Sequence, residues 1–519
     1  MVESIWSIFP PVLAIIMVLL TRRVLLSLGV GIVTSALFIN HFKIGSTLQS
    51  IWEAFKAVFI EESSLNTWNV YIIIFILLLG MITKFVAMMG GTQSFGDWMI
   101  KRVKTRFGAQ LMTFVLGIAL FIDDYFNSLT VGQIARPVTD KHRISRAKLA
   151  YIVDSTAAPV CVIAPVSSWG AYIIGLIATV FATHNFVDYT ALSAFIYMIP
   201  MNFYVWATLG VVIVLAWKQS DFGLMRKHEE HAIETGQVVY TQVKNATSER
   251  KEKISQNGKI TDLLVPIIVL FIATIAFIYW SGKQNTEAGS SLIDIFGEAD
   301  VSLALLLGGA VSILITFIFF IRHVTSKELT GKDFIHGIIS GGQSMVGAIF
   351  ILIFAWAISD LIGELGTGAY LAEVVKNSNI SFALLPFILF VMAGFIAFST
   401  GTSWGSFALL LPIAGQVAAA TNMDLMLPML AAVLAGAVFG DHCSPISDTT
   451  ILSATGSNCH HIDHVMTQLP YALLSAGIAG AGYLMLGFTE SILLGLLVVV
   501  IGLVILMFVL PKRSHQSSM

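Results

Sequence analysis

Residues 121–130 read FIDDYFNSLT and place two adjacent carboxylates inside an otherwise apolar stretch that spans 109–135. Three further apolar stretches contain a polar break of this kind. They read YIVDSTAAPVCVIAPVSSWG at 151–170, FSTGTSWGSF at 398–407 and FGDHCSPISDTTILSATG at 439–456. Proline frees a backbone carbonyl inside a helix, and freed carbonyls are tolerated at membrane depth only where they line a cavity or bind an ion. The breaks therefore predict ion-binding irregularities within membrane helices.

The composition around these breaks is that of a membrane protein. Of 519 residues, 56% are hydrophobic and 12% charged, with a net charge of −2, whereas soluble domains are about 25% charged. The mean hydropathy is +0.84. These values exclude a soluble enzyme, a disordered chain and a nucleic-acid binder, which needs a basic excess. Three cysteines cannot form a disulfide framework. The predicted fold class is an all-α polytopic membrane protein without a cofactor.

The basic residues orient the predicted helices. A membrane helix needs about 20 apolar residues, and Lys and Arg are retained on the cytoplasmic side. With Arg22 and Arg23 inside, a single crossing by 109–135 would place five basic residues of 136–148 outside. A re-entrant hairpin avoids this, and a second one at 380–415 keeps the C-terminus cytoplasmic. The prediction is about eleven transmembrane helices plus two re-entrant hairpins in the cell membrane, with 24 of the 29 Lys and Arg residues inside.

The two halves of this arrangement repeat the same order of spans with opposite orientation. Such an inverted-topology repeat with interrupted helices is the architecture of many secondary transporters. The segment that joins the halves is polar and is expected to be a solvated loop. The predicted organisation is an N-terminal transmembrane helix (1–23), a first repeat (24–217) with an inner hairpin (109–135) and an interrupted helix (149–183), a cytoplasmic loop (218–260), a linking helix and outer loop (261–300), a second repeat (301–487) with an outer hairpin (380–415) and an interrupted helix (426–456), and a last helix with a cytoplasmic tail (488–519).

The charge balance of the breaks indicates the class of cargo. They contain five carboxylates and no Lys or Arg, with one histidine, His442, beside them. A buried ionised carboxylate costs several kcal/mol unless a proton or a cation neutralises it. A carboxylate that alternates between H⁺ and Na⁺ is the minimal device for exchange. The five carboxylates are Asp123, Asp124, Asp154, Asp441 and Asp448.

The sequence resembles the NhaC family of Na⁺/H⁺ antiporters, within the ion transporter superfamily. The resemblance lies in FIDDYFNSLTVGQIARPVTDKHRISRAKLAYIVDSTAAPV (121–160), GDHCSPISDTTILSATG (440–456) and HIDHVMTQLPY (461–471). It implies electrochemically driven exchange of Na⁺ for H⁺. The leading hypothesis from the carboxylates and hydroxyl-rich breaks is a Na⁺(Li⁺)/H⁺ antiporter that works by alternating access. The residues carried over by these motifs are Asp123, Asp124, Asp154, Asp441, His442, Asp448 and Thr449. Polar neighbours in the same breaks complete the predicted cation and proton site: Asn127, Ser155, Thr156 and Ser447.

Several of these residues have an alternative role. Asp154 and Asp448 precede Ser or Thr and could each cap a restarting helix. Asp123 and Asp124 point about 100° apart on a helix, so one is expected to face the site while the other caps or hydrogen-bonds. For His442, proton transfer and plain hydrogen bonding are equally open. A metal cluster at His460, His461, Asp463 and His464 is less favoured than a solvated helix start, so no metal beyond transported Na⁺ is expected.

An alternative function keeps the same fold. The family also includes malate/lactate exchangers, so a Na⁺- or H⁺-coupled carrier of an organic acid or amino acid is the second hypothesis. In it, four hydroxyls of the 398–407 break would hold the substrate carboxylate: Ser399, Thr400, Thr402 and Ser403. An intramembrane aspartyl protease is disfavoured because the GxGD pattern has Val438 in place of its first glycine. The expected partners are Na⁺, H⁺ and membrane lipid, no nucleic acid is expected, and the oligomeric state, including a homodimer, stays open.

Overall fold

The structure is a computed structural model that describes residues 4–511 except 22, 62–63, 241–253, 287–294, 296–297, 367–369, 371–380 and 446. Apart from one antiparallel ribbon of two short strands, β1 (Ile60–Glu61) and β2 (Ser64–Leu65), its described regular elements are helices. Ten helices among the described residues are long and apolar enough to cross a membrane. The predicted class, an all-α multi-pass membrane protein, is confirmed.

The first half of the chain folds into helices that are cut short at the polar breaks. Described helices before residue 240 are α1 (Phe9–Thr21), α2 (Val24–Ile39), α3 (Ile44–Phe59), α4 (Thr67–Met88), α5 (Gly91–Ile100), α6 (Arg106–Ala119), α7 (Asp124–Lys141), α8 (Arg146–Thr156), α9 (Ala158–Cys161), α10 (Ser168–Thr183), α11 (Ala191–Met198), α12 (Phe203–Lys218) and α13 (Gly223–Thr235).

The second half contains longer helices before its own two breaks. Its described helices are α14 (Ile260–Asn285), α15 (Val301–Thr325), α16 (Gly331–Glu364), α17 (Leu385–Thr400), α18 (Ser403–Thr421), α19 (Met426–Cys443), α20 (Asp448–Ser457), α21 (His461–Thr489) and α22 (Ile492–Val509).

Each of the four polar breaks interrupts helical structure. The first separates α6 from α7, and the second separates α8 and α9 from α10. The third separates α17 from α18 at Gly401, which has the positive φ of 69° that glycine adopts without strain. The fourth separates α19 from α20. The eleven crossings, their orientation and the inverted repeat stay predictions, and the basic residues Arg22, Lys376, Lys512 and Arg513 lie outside the described residues.

The polar segment between the halves contains a packed helix, α13. Met225 and Ala232 are fully buried, and Glu229 is 4% exposed. The Glu229 carboxylate pairs with Arg106 at the start of α6 and accepts a 2.8 Å hydrogen bond from the backbone N–H of Ser145, which caps α8. The expectation of a solvated loop over 218–260 is therefore wrong for α13. A few apolar residues and one ion pair hold α13 against the other helices. The hydropathy of the sequence therefore did not indicate that this helix is packed.

The two halves of the chain meet where α7 crosses α20. A Cβ atom at Gly132 in α7 would lie 2.5 Å from the carbonyl carbon of Gly456 in α20. A Cβ atom at Gly456 would in turn lie 2.5 Å from the carbonyl oxygen of Ser128. Small residues allow two membrane helices to approach this closely. The crossing brings the first break and the fourth break into one site.

The α7–α20 crossing leads to a prediction about stability. Gly132→Ala places a methyl group against backbone atoms that cannot move aside, so we expect it to lower the free energy of unfolding by about 1–3 kcal/mol. The matched control is Gly477→Ala in α21, where a Cβ atom meets nothing within 4 Å. That control is expected to be neutral or slightly stabilising. Thermal unfolding of the purified variants in detergent measures both, and equal midpoints would contradict the close crossing.

Candidate cation-binding site

Asp123 and Asp124, at the start of α7, make different hydrogen bonds. Asp123 is the N-cap: its Oδ1 accepts a 3.0 Å hydrogen bond from the backbone N–H of Phe126, and its Oδ2 accepts one of 3.0 Å from the Ser168 hydroxyl. Asp124 accepts a 2.9 Å hydrogen bond at Oδ1 from the indole N–H of Trp169. Its buried Oδ2 has no hydrogen-bond partner among the described residues. The capping carboxylate is thus Asp123, and Asp124 keeps a free acceptor.

Asp448 lies across a cavity from this pair. It is the first residue of α20, it is exposed, and its Oδ2 accepts a 3.3 Å hydrogen bond from the Tyr125 hydroxyl. Ser447 caps α20, so the capping alternative for Asp448 is wrong. The cavity has a volume of about 170 Å³. Its lining residues are Asp123, Asp124, Tyr125, Ser344, Met345, Gly347, Ile351, Thr402, Trp404 and Asp448.

A larger cavity adjoins the first. It has a volume of about 800 Å³ and shares Asp123, Tyr125, Ser344 and Met345 with the smaller one. From there it extends along α4 and α7 to Lys84. The two cavities therefore adjoin at these four shared residues.

Asp154 lies in a second, fully buried cluster. Its carboxylate accepts hydrogen bonds from Gln468 Nε2 at 2.7 Å, Thr450 Oγ1 at 3.1 Å and Ser453 Oγ at 3.3 Å, and it contacts His464 Nε2 at 3.1 Å. It stands near the end of α8, whose N-cap is Ser145, so the capping alternative is wrong here as well. Asp154 joins α8 to α20 and α21.

His442 continues this cluster towards α12. Its Nε2 lies 3.2 Å from the Ser155 hydroxyl, and its Nδ1 lies 2.7 Å from the Tyr204 hydroxyl. Gln468 donates to its backbone carbonyl. His442 is therefore a satisfied hydrogen-bonding residue in this geometry, and it connects through Gln468 to Asp154.

Asp441 is held by hydroxyl groups. Its Oδ2 accepts from the Ser403 hydroxyl at 2.7 Å and from the Ser403 backbone N–H at 3.1 Å, and its Oδ1 accepts from the Ser447 hydroxyl at 2.6 Å. Ser447 Oγ also lies 2.9 Å from Thr449 Oγ1. These bonds tie the third break to the fourth.

Asn127 supports the turn between α6 and α7. Its side-chain N–H groups donate to the carbonyls of Gly117 at 2.6 Å, Leu120 at 3.1 Å and Thr156 at 3.4 Å. The Thr156 hydroxyl donates to the Ile152 carbonyl of its own helix. Asn127 and Thr156 therefore hold the backbone at two breaks.

The hydroxyls predicted to form a substrate pocket are placed differently from one another. Thr402 lines the smaller cavity. Ser399 and Thr400 donate to carbonyls of their own helix, those of Phe395 at 2.9 Å and Ala397 at 3.4 Å. Ser403 donates to Asp441, as described above. A carboxylate-binding pocket at this break stays a prediction that rests on Thr402.

Four helices begin at the site, at Asp124 (α7), Ser168 (α10), Ser403 (α18) and Asp448 (α20). The partial positive charge of a helix N-terminus stabilises anions beside it. Among the described residues, no Lys or Arg lies within 4 Å of the carboxylates of Asp123, Asp124, Asp441 or Asp448. Backbone dipoles and hydroxyls therefore surround these acids in place of a fixed cation.

Two acids outside the site form salt bridges with basic residues of α8. Asp140 forms a 2.7 Å salt bridge with Arg146, and Asp221 pairs with the buried Lys148. Arg146 and Lys148, both in α8, therefore pair with acids outside the candidate site.

The sequence did not reveal that four polar side chains surround Asp154. They are His464, Gln468, Thr450 and Ser453. His464 is fully buried, so the expected solvated helix start is wrong for that residue, although α21 does begin at His461. Groups of three or more metal-ligating side chains are absent from the described residues. The i, i+4 spacing of His464 and Gln468 places both on one helix face, and this signal was available in the sequence.

The fold and the site define a multi-pass membrane protein that encloses carboxylates without fixed cationic partners. The sequence profile of the Na⁺/H⁺ antiporter family matches residues 160–488, and the chain belongs to this family. The family is one of secondary transporters, which are not enzymes. The match includes Asp441 and Asp448 and begins after Asp154.

Three relatives are similar to this chain. An uncharacterized protein of Haemophilus influenzae is 43% identical over 514 residues, which cover 98% of this chain and 96% of that protein. The malate-2H⁺/Na⁺-lactate antiporter of Bacillus subtilis is 28% identical over 199 residues, covering 37% of this chain and 39% of that protein. An uncharacterized Na⁺/H⁺ antiporter of Haemophilus influenzae is 39% identical over 110 residues, covering 18% of this chain and 22% of that protein.

The two acid clusters predict different responses to amide substitution. In Asp154→Asn the new amide group meets several side-chain donors and leaves buried groups unsatisfied, so we expect a loss of about 1–3 kcal/mol of stability. Asp448→Asn loses one hydrogen bond at an exposed position, and its effect is expected to stay within about 0.5 kcal/mol. Thermal unfolding in detergent compares the two. An Asp154→Asn variant as stable as Asp448→Asn would contradict the buried network.

Proposed function

We propose that this protein exchanges Na⁺, and also Li⁺, for H⁺ by alternating access. The single observation that carries the proposal is the cavity in which Asp123, Asp124 and Asp448 meet without Lys or Arg among its lining residues. A carboxylate in a low-dielectric site needs a neutralising partner, and here that partner has to be mobile. Sodium and the proton are both mobile cations that a carboxylate accepts through the same oxygens.

The proposed Na⁺ site uses the oxygen atoms of the smaller cavity. Asp124, Asp448 and Thr402 line this space, and Asp124 Oδ2 has no hydrogen-bond partner among the described residues. Hard cations prefer oxygen ligands of this kind. A proton on Asp124 or Asp448 neutralises the same charge that Na⁺ does, so loading one cation displaces the other. This competition is the basis of exchange in the proposal.

The Asp154 cluster is proposed to couple the site to the helices that move. Asp154 on α8 is bonded to Thr450 and Ser453 on α20, whose first residue is Asp448. In the proposal, the hairpins and interrupted helices at 109–183 and 380–456 form the transport core and move against the other spans. The bonds between α8 and α20 keep the two halves of that core together.

The proposal predicts which carboxylates are required. Asp124→Asn and Asp448→Asn are each expected to reduce Na⁺-driven proton movement to the background of protein-free vesicles, because an amide cannot alternate between H⁺ and Na⁺. The measurement uses proteoliposomes with a pH-sensitive dye between pH of about 6.5 and 9. Asp188→Asn, at an exposed position between α10 and α11, is the matched control and should retain wild-type exchange. Absence of any Na⁺-driven signal from the wild type over this range would refute the proposal.

A second candidate function is Na⁺- or H⁺-coupled transport of a small organic acid or amino acid. The observation that favours it is the size of the cavity, since about 170 Å³ exceeds the space of one coordinated ion. The relative in Bacillus subtilis is named for malate and lactate.

This second candidate predicts stabilisation by its substrate. If it holds, malate, L-lactate or an amino acid will raise the unfolding midpoint of the purified protein in a Na⁺-dependent manner. The expected shift disappears when Na⁺ is replaced by choline. A panel of these compounds that leaves the midpoint unchanged, while Na⁺ alone drives proton movement, would select the first candidate.

A further inference from the structure

The smaller cavity is lined by two chemically different sets of side chains. Asp123, Asp124 and Asp448 supply carboxylates, while Tyr125 and Trp404 supply aromatic rings. We propose that this cavity binds the ammonium group of a small organic compound, which is carried as a cationic cargo at the site used by Na⁺. This inference rests on the proposed cation transport and extends it to a class of substrate.

The carboxylates of the lining match the hydrogen-bonding needs of an ammonium group. Such a group has three N–H donors and no acceptor. Asp124 Oδ2 is a buried acceptor without a hydrogen-bond partner among the described residues, and Asp448 uses one oxygen for the Tyr125 hydroxyl. Charge-assisted hydrogen bonds to these oxygens would satisfy the donors and neutralise the acids at once.

Contacts with two neighbouring aromatic residues hold the Trp404 ring in place. The Trp404 ring packs edge-to-face against Trp169, with centroids 5.7 Å apart, and against Tyr172, with centroids 4.6 Å apart. The Tyr172 hydroxyl donates a 2.9 Å hydrogen bond to the Trp404 carbonyl. Organic cations are attracted to the faces of such rings more than to aliphatic walls. Met345 and Ile351 belong to the same lining and supply apolar surface for a carbon chain.

The volume favours an organic ion over a bare one. A cavity needs about 10–15 Å³ to hold one water molecule, whereas this cavity has about 170 Å³. A Na⁺ ion that is bound directly by oxygens fills little of that space, and the apolar part of the lining offers no ligand to its hydration water. The adjoining cavity of about 800 Å³ provides further space beside it.

The same lining disfavours an organic anion. Its charged residues, Asp123, Asp124 and Asp448, all carry negative charge when ionised. An anionic group would face like charges, which is an effective means of rejecting a ligand. An ammonium compound meets opposite charge at the three carboxylates and aromatic rings in the same lining.

Gly347 in α16 allows the cavity to be filled without touching the acids. It lines the cavity, and a Cβ atom there would meet nothing within 4 Å. Gly347→Ala and Gly347→Val are therefore expected to reduce the free volume in steps. Gly477→Val in α21, where a Cβ atom also meets open space, is the matched control because Gly477 is not among the cavity's lining residues.

The test measures binding of n-butylammonium to the purified full-length protein by its effect on the unfolding midpoint. We expect stabilisation that Na⁺ competes away and that n-butanol and butyrate do not produce. Apparent affinity should fall modestly in Gly347→Ala, by at least tenfold in Gly347→Val and in Asp124→Asn, and not in Gly477→Val. Equal stabilisation by n-butanol or butyrate, or full binding by Gly347→Val, would overturn the inference.

Failure of the inference and failure of the proposed function are distinguishable. Na⁺-driven proton movement by the wild type, measured in separate vesicles without amine, together with no effect of n-butylammonium, overturns the inference alone. Amine binding that is lost in Gly347→Val, without any Na⁺-driven proton movement, supports the ammonium site and refutes Na⁺/H⁺ exchange.

Discussion

Negative charge held among membrane helices without a fixed positive partner is the constraint on which this structure depends. Asp124 shows it most clearly. One of its carboxylate oxygens accepts a hydrogen bond from the Trp169 indole, and the other has no hydrogen-bond partner among the described residues. The free energy of burying such a group is acceptable only when a proton or cation binds it. The broken helices follow from this constraint, since each break supplies hydroxyls and helix N-termini, which stabilise a carboxylate without cancelling its charge.

The sequence predicted the fold class and the four breaks because both depend on local signals. A carboxylate within an apolar stretch, beside small hydroxyl residues, marks a break regardless of what it later contacts. The division of roles between Asp123 and Asp124 was not predictable in this way. It depends on Ser168 and Trp169, which reach the two carboxylates from α10. Adjacent acids have the same local sequence, and only tertiary contacts separate the cap from the free acceptor.

Long-range partners explain the other differences. His464 and Gln468 reach Asp154 from a helix about 300 residues further along the chain, and hydropathy alone treats the start of that helix as solvated. Helix α13 was missed for a related reason, since its docking depends on Glu229 and Arg106, two residues that composition counts as surface charge. Buried ion pairs and buried histidines weaken an apolar pattern while they stabilise the packed structure.

Helix α20 connects the parts of the site. Its first residue, Asp448, faces the cavity, and two and five residues later Thr450 and Ser453 bond to Asp154 on the other half of the chain. Because α20 crosses α7 at Gly456 and Gly132 with backbone nearly in contact, α20 cannot shift without displacing the helix that carries Asp124. In the proposed transport cycle, a change in the charge of the cavity acids would therefore act on one packed unit made of α7, α8 and α20. The proposed coupling rests on two glycines and two hydroxyls, and it requires no contact between a transported cation and Asp154.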